Sequence, residues 1–179
     1  ILRSDYRGGE IALDGAKTQA GGADNQRISM TAGFGDLAKD RFNLMLSGTF
    51  VKEGALFGRD RDFARVGYSI ENGNDPTSFH PFPANILLLP DGVLGGNPSA
   101  PGCPAPYALN RGADVDGPFC VFDPSPLVTL LPKVERATVM AAGKWAISNT
   151  LEAFFEASFT KSKQRVVIQP VPFSFAFPL

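Results

Sequence analysis

The chain has 179 residues, with 17 Lys and Arg against 18 Asp and Glu and a net charge of −1. This balance argues against nucleic-acid binding, which needs a clustered basic surface. No apolar run approaches the ~18 residues of a membrane helix. The near-zero mean hydropathy is typical of a soluble domain, but membrane β-strands alternate in polarity and leave almost no hydropathy peak.

Five segments alternate between apolar and polar residues with a period of two, which is the pattern of half-buried β-strands. Phe is frequent (15 residues) and Gly and Pro are abundant, which disfavours a helical bundle. In the third segment Phe42 and Leu44 lie on one side, and Asn43 lies on the other. The predicted strands are 9–17, 26–35, 41–52, 135–148 and 151–162, the first being the weakest.

The connections between these strands differ sharply in length. The turns at 36–40 and 148–150 are tight and rich in turn-forming residues. The connections 18–24 and 54–134 are longer, and antiparallel order places both of them at the opposite end of the strands. A connection as long as 54–134 is uncommon in a compact soluble domain but ordinary in an outer-membrane barrel. Trp145 lies near the short-turn end, where interfacial aromatic residues collect.

The two ends of the sequence indicate a piece of a longer protein. There is no initiator Met and no signal peptide. The chain opens at Ile1 as if inside a strand, and it ends in the apolar segment 173–179. We therefore expect further strands outside these residues, because five strands would leave two open edges in a membrane.

Four short motifs add a family resemblance. They are residues 1–10 (ILRSDYRGGE), 32–44 (AGFGDLAKDRFNL), 57–63 (FGRDRDF) and 131–136 (LPKVER). Together they resemble the TonB-dependent outer-membrane receptors, notably the Oar-like branch. The first motif is similar to the junction between plug and barrel, the second to a barrel hairpin, the third to the segment after it, and the fourth to the re-entry into the barrel.

The resemblance implies an all-β antiparallel meander that forms part of a barrel of roughly 22 strands with an N-terminal plug. Residues 1–8 would end the plug, 9–53 would form strands one to three, and 54–134 would be a long extracellular loop. Residues 135–164 would form strands four and five, and 165–179 would begin the next extracellular segment.

The implied function is import of a scarce solute across the bacterial outer membrane. The solute would be a ferric siderophore, an oligosaccharide or a peptide, and the energy would come through TonB, which binds the missing N-terminal region. The other implied partners are membrane lipid, the chain's own plug and the remaining strands. This class is a transporter and not an enzyme, and no cofactor is expected.

Several residues are candidates for function within that framework. Cys103 and Cys120 could form a disulfide worth about 3 kcal/mol, with reduced thiols or a metal pair as alternatives. The loop aromatics could stack on a solute or form a small core around the disulfide. His80 and the motif 114–117 are interpreted as loop and turn residues. The candidate ligand contacts are Phe79, Phe82, Tyr107, Phe119 and Phe122, and the candidate lumen or plug contacts are Arg27, Arg136, Lys144, Glu152 and Glu156.

A soluble or secreted β-sandwich for adhesion or ligand binding is the alternative hypothesis, because sandwich strands also carry one apolar face. Small residues on that face, such as Ala141 and Gly143, would pack a sandwich core poorly. Lipid chains would fill the space around them. A hydrolytic enzyme is the least supported class, since nucleophile elbows, phosphate loops and zinc-ligand spacings are all missing.

Overall fold

The computed structural model describes residues 5–68, 73–88, 93–110 and 119–174. The chain divides into two compact units. The sheet unit comprises Ile1–Leu56 and Leu131–Val166, and the loop unit comprises Phe57–Leu130 and Val167–Leu179. The described residues contain no α-helix, and none of their helical turns is long and apolar enough to cross a membrane.

Among the described residues, the regular structure consists of nine β-strands and two short 3-10 helices. The strands are β1 (Gly8–Ala16), β2 (Asn25–Phe34), β3 (Phe42–Glu53), β4 (Leu56–Phe57), β5 (Ile86–Leu88), β6 (Val93–Gly96), β7 (Thr129–Leu131), β8 (Lys133–Ala146) and β9 (Glu152–Arg165). The 3-10 helices are Gly58–Asp60 and Asp62–Ala64.

The sheet unit is a five-stranded antiparallel sheet in the order β1-β2-β3-β8-β9. This order confirms the predicted antiparallel meander, because each strand pairs with the next predicted strand along the chain. The strands begin and end within a few residues of the predicted bounds; β9 extends three residues further, to Arg165. Period-two alternation located these strands well because a one-residue slip would exchange the two faces.

The tight turn between β2 and β3 is built around Asp36. Its carboxylate accepts a hydrogen bond from the Ala38 backbone N–H at 3.0 Å, and its own N–H donates to the Asp40 carboxylate at 2.9 Å. The neighbouring residue Arg41 donates from Nε to the Ala146 carbonyl at 3.0 Å, next to the turn between β8 and β9. Side-chain bonds of this kind are the reason that Asp is favoured in turns.

Asn43 holds the residues before β1 against the start of β3. Its side chain is buried, and its amide nitrogen lies 2.9 Å from the Gly35 carbonyl oxygen and 3.1 Å from that of Tyr6. A third carbonyl, that of Phe34, lies 3.3 Å away. One side chain therefore satisfies backbone acceptors from two separate stretches of the chain, which a buried amide must do to offset its desolvation.

The loop unit has its own small interior. Cys103, Ala108 and Cys120 form a buried cluster, and Phe122 is also buried. β4 pairs with β7 and β5 with β6, and isolated bridges join Ser78 to Phe122 and Leu109 to Val121. None of these elements within 54–134 is predicted by the sequence pattern, because strands of two to four residues are too short to establish a period.

Replacing Asn43 with Ala should destabilise the sheet unit by about 1–3 kcal/mol, because three backbone carbonyls lose their donor. Denaturant unfolding followed by circular dichroism in detergent would measure this loss. Gln164→Ala is the matched control, since it removes an exposed amide of β9 on the side of the sheet that also carries Asn43, and surface changes of that kind stay within about 0.5 kcal/mol. Equal unfolding midpoints for the two variants would contradict the structural role of Asn43.

Candidate functional site

One face of the five-stranded sheet is apolar across its full width. Residues directly opposite each other on paired strands point to the same side, so every second residue of all five strands shares this face. Its middle row runs from Ile11 through Met30, Gly48 and Val139 to Phe159. The large exposed side chains on this face are Ile11, Leu13, Ile28, Met30, Phe34, Phe42, Leu46, Phe50, Val139, Trp145, Phe155 and Phe159.

Small residues make this apolar face uneven. The ring of Phe155 lies over Gly143, and a Cβ on that glycine would overlap the ring. At Gly48 there is open space instead, and Met30, Leu46 and Val139 border a shallow groove there. Protein cores are closely packed, and exposed aromatic rings beside open grooves are not typical of a face that a second protein layer covers.

The opposite face of the sheet is lined with hydroxyl groups. Ser29, Thr49, Thr138 and Thr160 form one continuous row across four strands. The Thr138 and Thr160 hydroxyls lie 3.1 Å apart, and in the next row Thr31 and Ser47 lie at the same distance. Cross-strand hydroxyl pairs of this kind stabilise a sheet that faces water or polar groups.

All five predicted lumen or plug contacts lie on this polar face. Arg27 and Arg136 stand in one row, on either side of Val51. The Lys144 ammonium and the Glu152 carboxylate lie 3.6 Å apart, and Glu156 lies opposite Ala142. The structure thus brings Lys144 and Glu152 together, separates Arg27 from Arg136 within one row, and places Glu156 in another row.

The residues before β1 also lie against the polar face, at the end with the short turns. Tyr6 passes directly over Gly33, where a Cβ would overlap the Tyr6 backbone carbonyl, so the close approach requires glycine. Arg7 donates to the Asp36 carboxylate at 2.6 Å. The Ala38 N–H bond to the Asp36 carboxylate, together with the Arg7 guanidinium, lowers the pKa of Asp36 below its ordinary value of 3.8. Sequence patterning did not identify Asn43 or Gly33, because their roles depend on contact with Tyr6.

The loop unit contains the predicted disulfide. Cys103 and Cys120 are bonded, with their Cα atoms 5.6 Å apart, so the alternatives of reduced thiols or a metal pair do not apply. Asn85 lies beside the bond: its amide nitrogen donates to the Cys120 carbonyl at 2.9 Å, and its oxygen accepts from Asn97 at 2.9 Å. Both sulfur atoms belong to buried residues, which indicates a structural bond and not a reactive one.

The five loop aromatics divide into two groups. Phe119 and Phe122 are each only 7% exposed, as the interpretation of a small loop core predicts. Phe79, Phe82 and Tyr107 are exposed by 56%, 75% and 49%. The Phe82 N–H donates to the Tyr107 carbonyl at 3.0 Å, so these two residues lie side by side. Three rings are therefore accessible to a ligand and two are not.

His80 is an exposed loop residue whose ring nitrogens lie 3.1 Å from the Ser78 hydroxyl and 2.9 Å from the Ser174 hydroxyl. The motif at 114–117 lies outside the described residues. Within the described ranges, no group of three or more His, Cys, Asp or Glu residues is arranged to hold a metal ion.

Comparisons with protein-family models, with curated proteins and with solved structures found no match to this chain. The faces, turns and buried groups described above are therefore the basis for assigning a function.

Replacing Asp36 with Asn should change how stability depends on pH. Because the folded pKa of Asp36 lies below its unfolded value, the carboxylate stabilises the fold above the unfolded pKa. That contribution is lost as the pH falls through the folded pKa. Thermal unfolding of the wild type and of Asp36→Asn between pH 7 and pH 2 should give midpoints that differ at neutral pH and converge in acid. A constant difference would contradict this role of Asp36.

Replacing both cysteines with Ser should loosen the loop unit while leaving the sheet unit folded. In the chain-entropy model a disulfide that closes a loop of this length stabilises the folded state by about 3 kcal/mol. Its removal should therefore raise the equilibrium constant for local unfolding of the loop unit about a hundredfold. Limited proteolysis should accelerate within residues 57–130 but not in the strands of the sheet. A reductant should speed cleavage of the wild type and have no further effect on the double variant; unchanged cleavage of both would contradict the prediction.

Proposed function

We propose that this chain is part of a transmembrane β-barrel in the bacterial outer membrane, in which the apolar face contacts lipid and the polar face contacts the interior. The observation that carries the proposal is the exposed apolar face on an antiparallel sheet whose other face is polar. A membrane barrel requires this two-sided pattern over many neighbouring strands.

The height of the apolar face supports the proposal. It extends along β3 from Phe42 to Phe50 and along β8 from Ala137 to Trp145. The eight steps from one residue to the next, at ~3.4 Å each, span about 27 Å, which becomes about 21 Å at a strand tilt of ~40°. Lipid-facing bands of outer-membrane barrels are ~25 Å tall. At the short-turn end Phe42 lies opposite Trp145, where an interfacial aromatic belt is expected.

The connections support a consistent orientation. The chain makes tight turns after β2 and β8, whereas it leaves β3 at Glu53 and returns to the sheet only at Lys133. Outer-membrane barrels have short periplasmic turns and long extracellular loops. We therefore assign residues 54–134 to the outside of the cell, where a disulfide persists.

Within this class we propose a TonB-dependent receptor that imports a scarce solute, a ferric siderophore, an oligosaccharide or a peptide. The residues before β1 run over the polar face through Tyr6 and Arg7, which fits a plug that enters the barrel interior from the short-turn side. Phe79, Phe82 and Tyr107 are exposed in the long connection and would contact the solute. TonB, lipid and the remaining strands are the partners of this proposal.

A soluble or secreted β-sandwich for binding or adhesion is the competing proposal, in which a second sheet covers the apolar face. The shallow groove at Gly48 and the glycine under Phe155 favour lipid over a second sheet. The two proposals differ in where the protein is recovered. A sandwich stays in the soluble fraction without detergent, whereas a barrel stays in the membrane fraction.

Replacing Phe159 with Arg tests the lipid-facing assignment. A cation on the lipid face costs about 2–4 kcal/mol near the middle of the bilayer. Phe159→Arg should therefore lower the amount of folded protein in the outer-membrane fraction and abolish heat-modifiable gel mobility. The neighbouring Ser158→Arg is the matched control, because Ser158 is also exposed on β9 but lies on the polar face; it should leave membrane recovery unchanged.

Recovery of the wild type in the soluble fraction without detergent would overturn the barrel proposal and favour the sandwich. Equal membrane recovery of the two Arg variants would contradict the assignment of the faces.

A further inference from the structure

A cluster of cations lies on the apolar side of the sheet, at the edge of the apolar band nearest the long connections. It is carried by β3, β8 and β9, which place alternate residues on this side. We call it the basic cluster; it consists of Lys52, Lys133, Lys161, Lys163 and Arg165. Five cations on one side of three strands stand out in a chain whose net charge is −1.

The register places these cations close together around a single carboxylate. Glu135 lies between Lys52 on β3 and Lys163 on β9, and Arg165 lies opposite Lys133. The Lys133 ammonium and the Glu135 carboxylate form an ion pair at 3.1 Å. Within the described part of the chain the other four cations form no ion pair, so the cluster keeps a net charge of about +4 at neutral pH.

The basic cluster borders the apolar face directly. Lys161 lies in the row that continues through Ala137 and Phe50 to Ile28. The next row contains Phe159 and Val139, beside the shallow groove at Gly48. A ligand on this surface therefore meets cations at one end and apolar side chains at the other.

We propose that the basic cluster binds the phosphate headgroups of anionic lipids, whose acyl chains lie on the adjacent apolar face. This inference rests on the proposed membrane function. Charge complementarity selects an anion, and the adjoining apolar rows select one that carries a hydrocarbon tail. Free phosphate lacks the tail and gains nothing from Phe50 or Phe159. The cluster lies at the end assigned to the outside, so the bound lipid belongs to the outer leaflet.

The test measures lipid binding to the full chain in detergent. Phosphatidylglycerol and phosphatidylcholine are titrated separately, and bound lipid is counted by native mass spectrometry. Each cation near an anionic lipid surface contributes about fivefold in affinity, so Lys161→Gln with Lys163→Gln should weaken phosphatidylglycerol binding by about 25-fold. Phosphatidylcholine binding should be unchanged, and the charge-preserving pair Lys161→Arg and Lys163→Arg should bind phosphatidylglycerol as the wild type does.

Lys39→Gln with Arg65→Gln is the matched control, because it removes two exposed cations outside the basic cluster; it should leave both lipid affinities unchanged. Inorganic phosphate at millimolar concentration should not displace phosphatidylglycerol. Displacement by phosphate, or unchanged phosphatidylglycerol binding after the Lys→Gln pair, would overturn the headgroup site while leaving the lipid-facing surface in place. Failure of the wild type to bind either lipid would overturn both proposals.

Discussion

In-register antiparallel pairing of five strands is the constraint on which the rest of the structure depends. Because side chains alternate between the two sides of a strand, the register decides at once which residues share a face. Leu46 lies opposite Ala32 on one neighbour and Ala141 on the other, and this apolar match repeats in the rows above and below it. A slip of one residue would bring hydroxyl and charged groups into the apolar face. The separation of the two faces, and with it the proposed membrane function, follows from the register.

The end of the sheet with the short turns is held by polar side chains instead of apolar packing. Asn43 binds carbonyls before β1 and after β2, Asp36 accepts from Arg7 and Ala38, and Arg41 binds the carbonyl of Ala146. These contacts place the residues before β1 on the polar face at this end. In the proposed barrel the same contacts would join an interior plug to the wall, so that stability and the route of the chain depend on one set of hydrogen bonds.

The loop unit is organised by a different kind of interaction. A disulfide and side-chain amides replace the long strands: Asn85 donates to the Cys120 carbonyl and Asn97 to the Pro83 carbonyl. The Asp123 carboxylate accepts from the Gly67 N–H at 2.8 Å. An interior this small cannot stabilise a long connection by apolar burial alone, and a covalent link reduces the entropy of its unfolded state. Phe119 and Phe122 are used in that interior, whereas Phe79, Phe82 and Tyr107 remain exposed.

The sequence by itself determined the five long strands, their antiparallel order and the polar side of Arg27 and Glu156, because strict alternation has only one arrangement that separates apolar from polar residues. It also indicated the pairing of Cys103 with Cys120, the only two cysteines in the chain. Only the tertiary structure decided that Asn43 and Gly33 contact Tyr6, that Phe119 is buried while Phe82 is exposed, and that Lys52 shares one cluster with Lys163. Each of these depends on residues far apart in the chain meeting at a particular distance, and a local pattern contains no information about that distance.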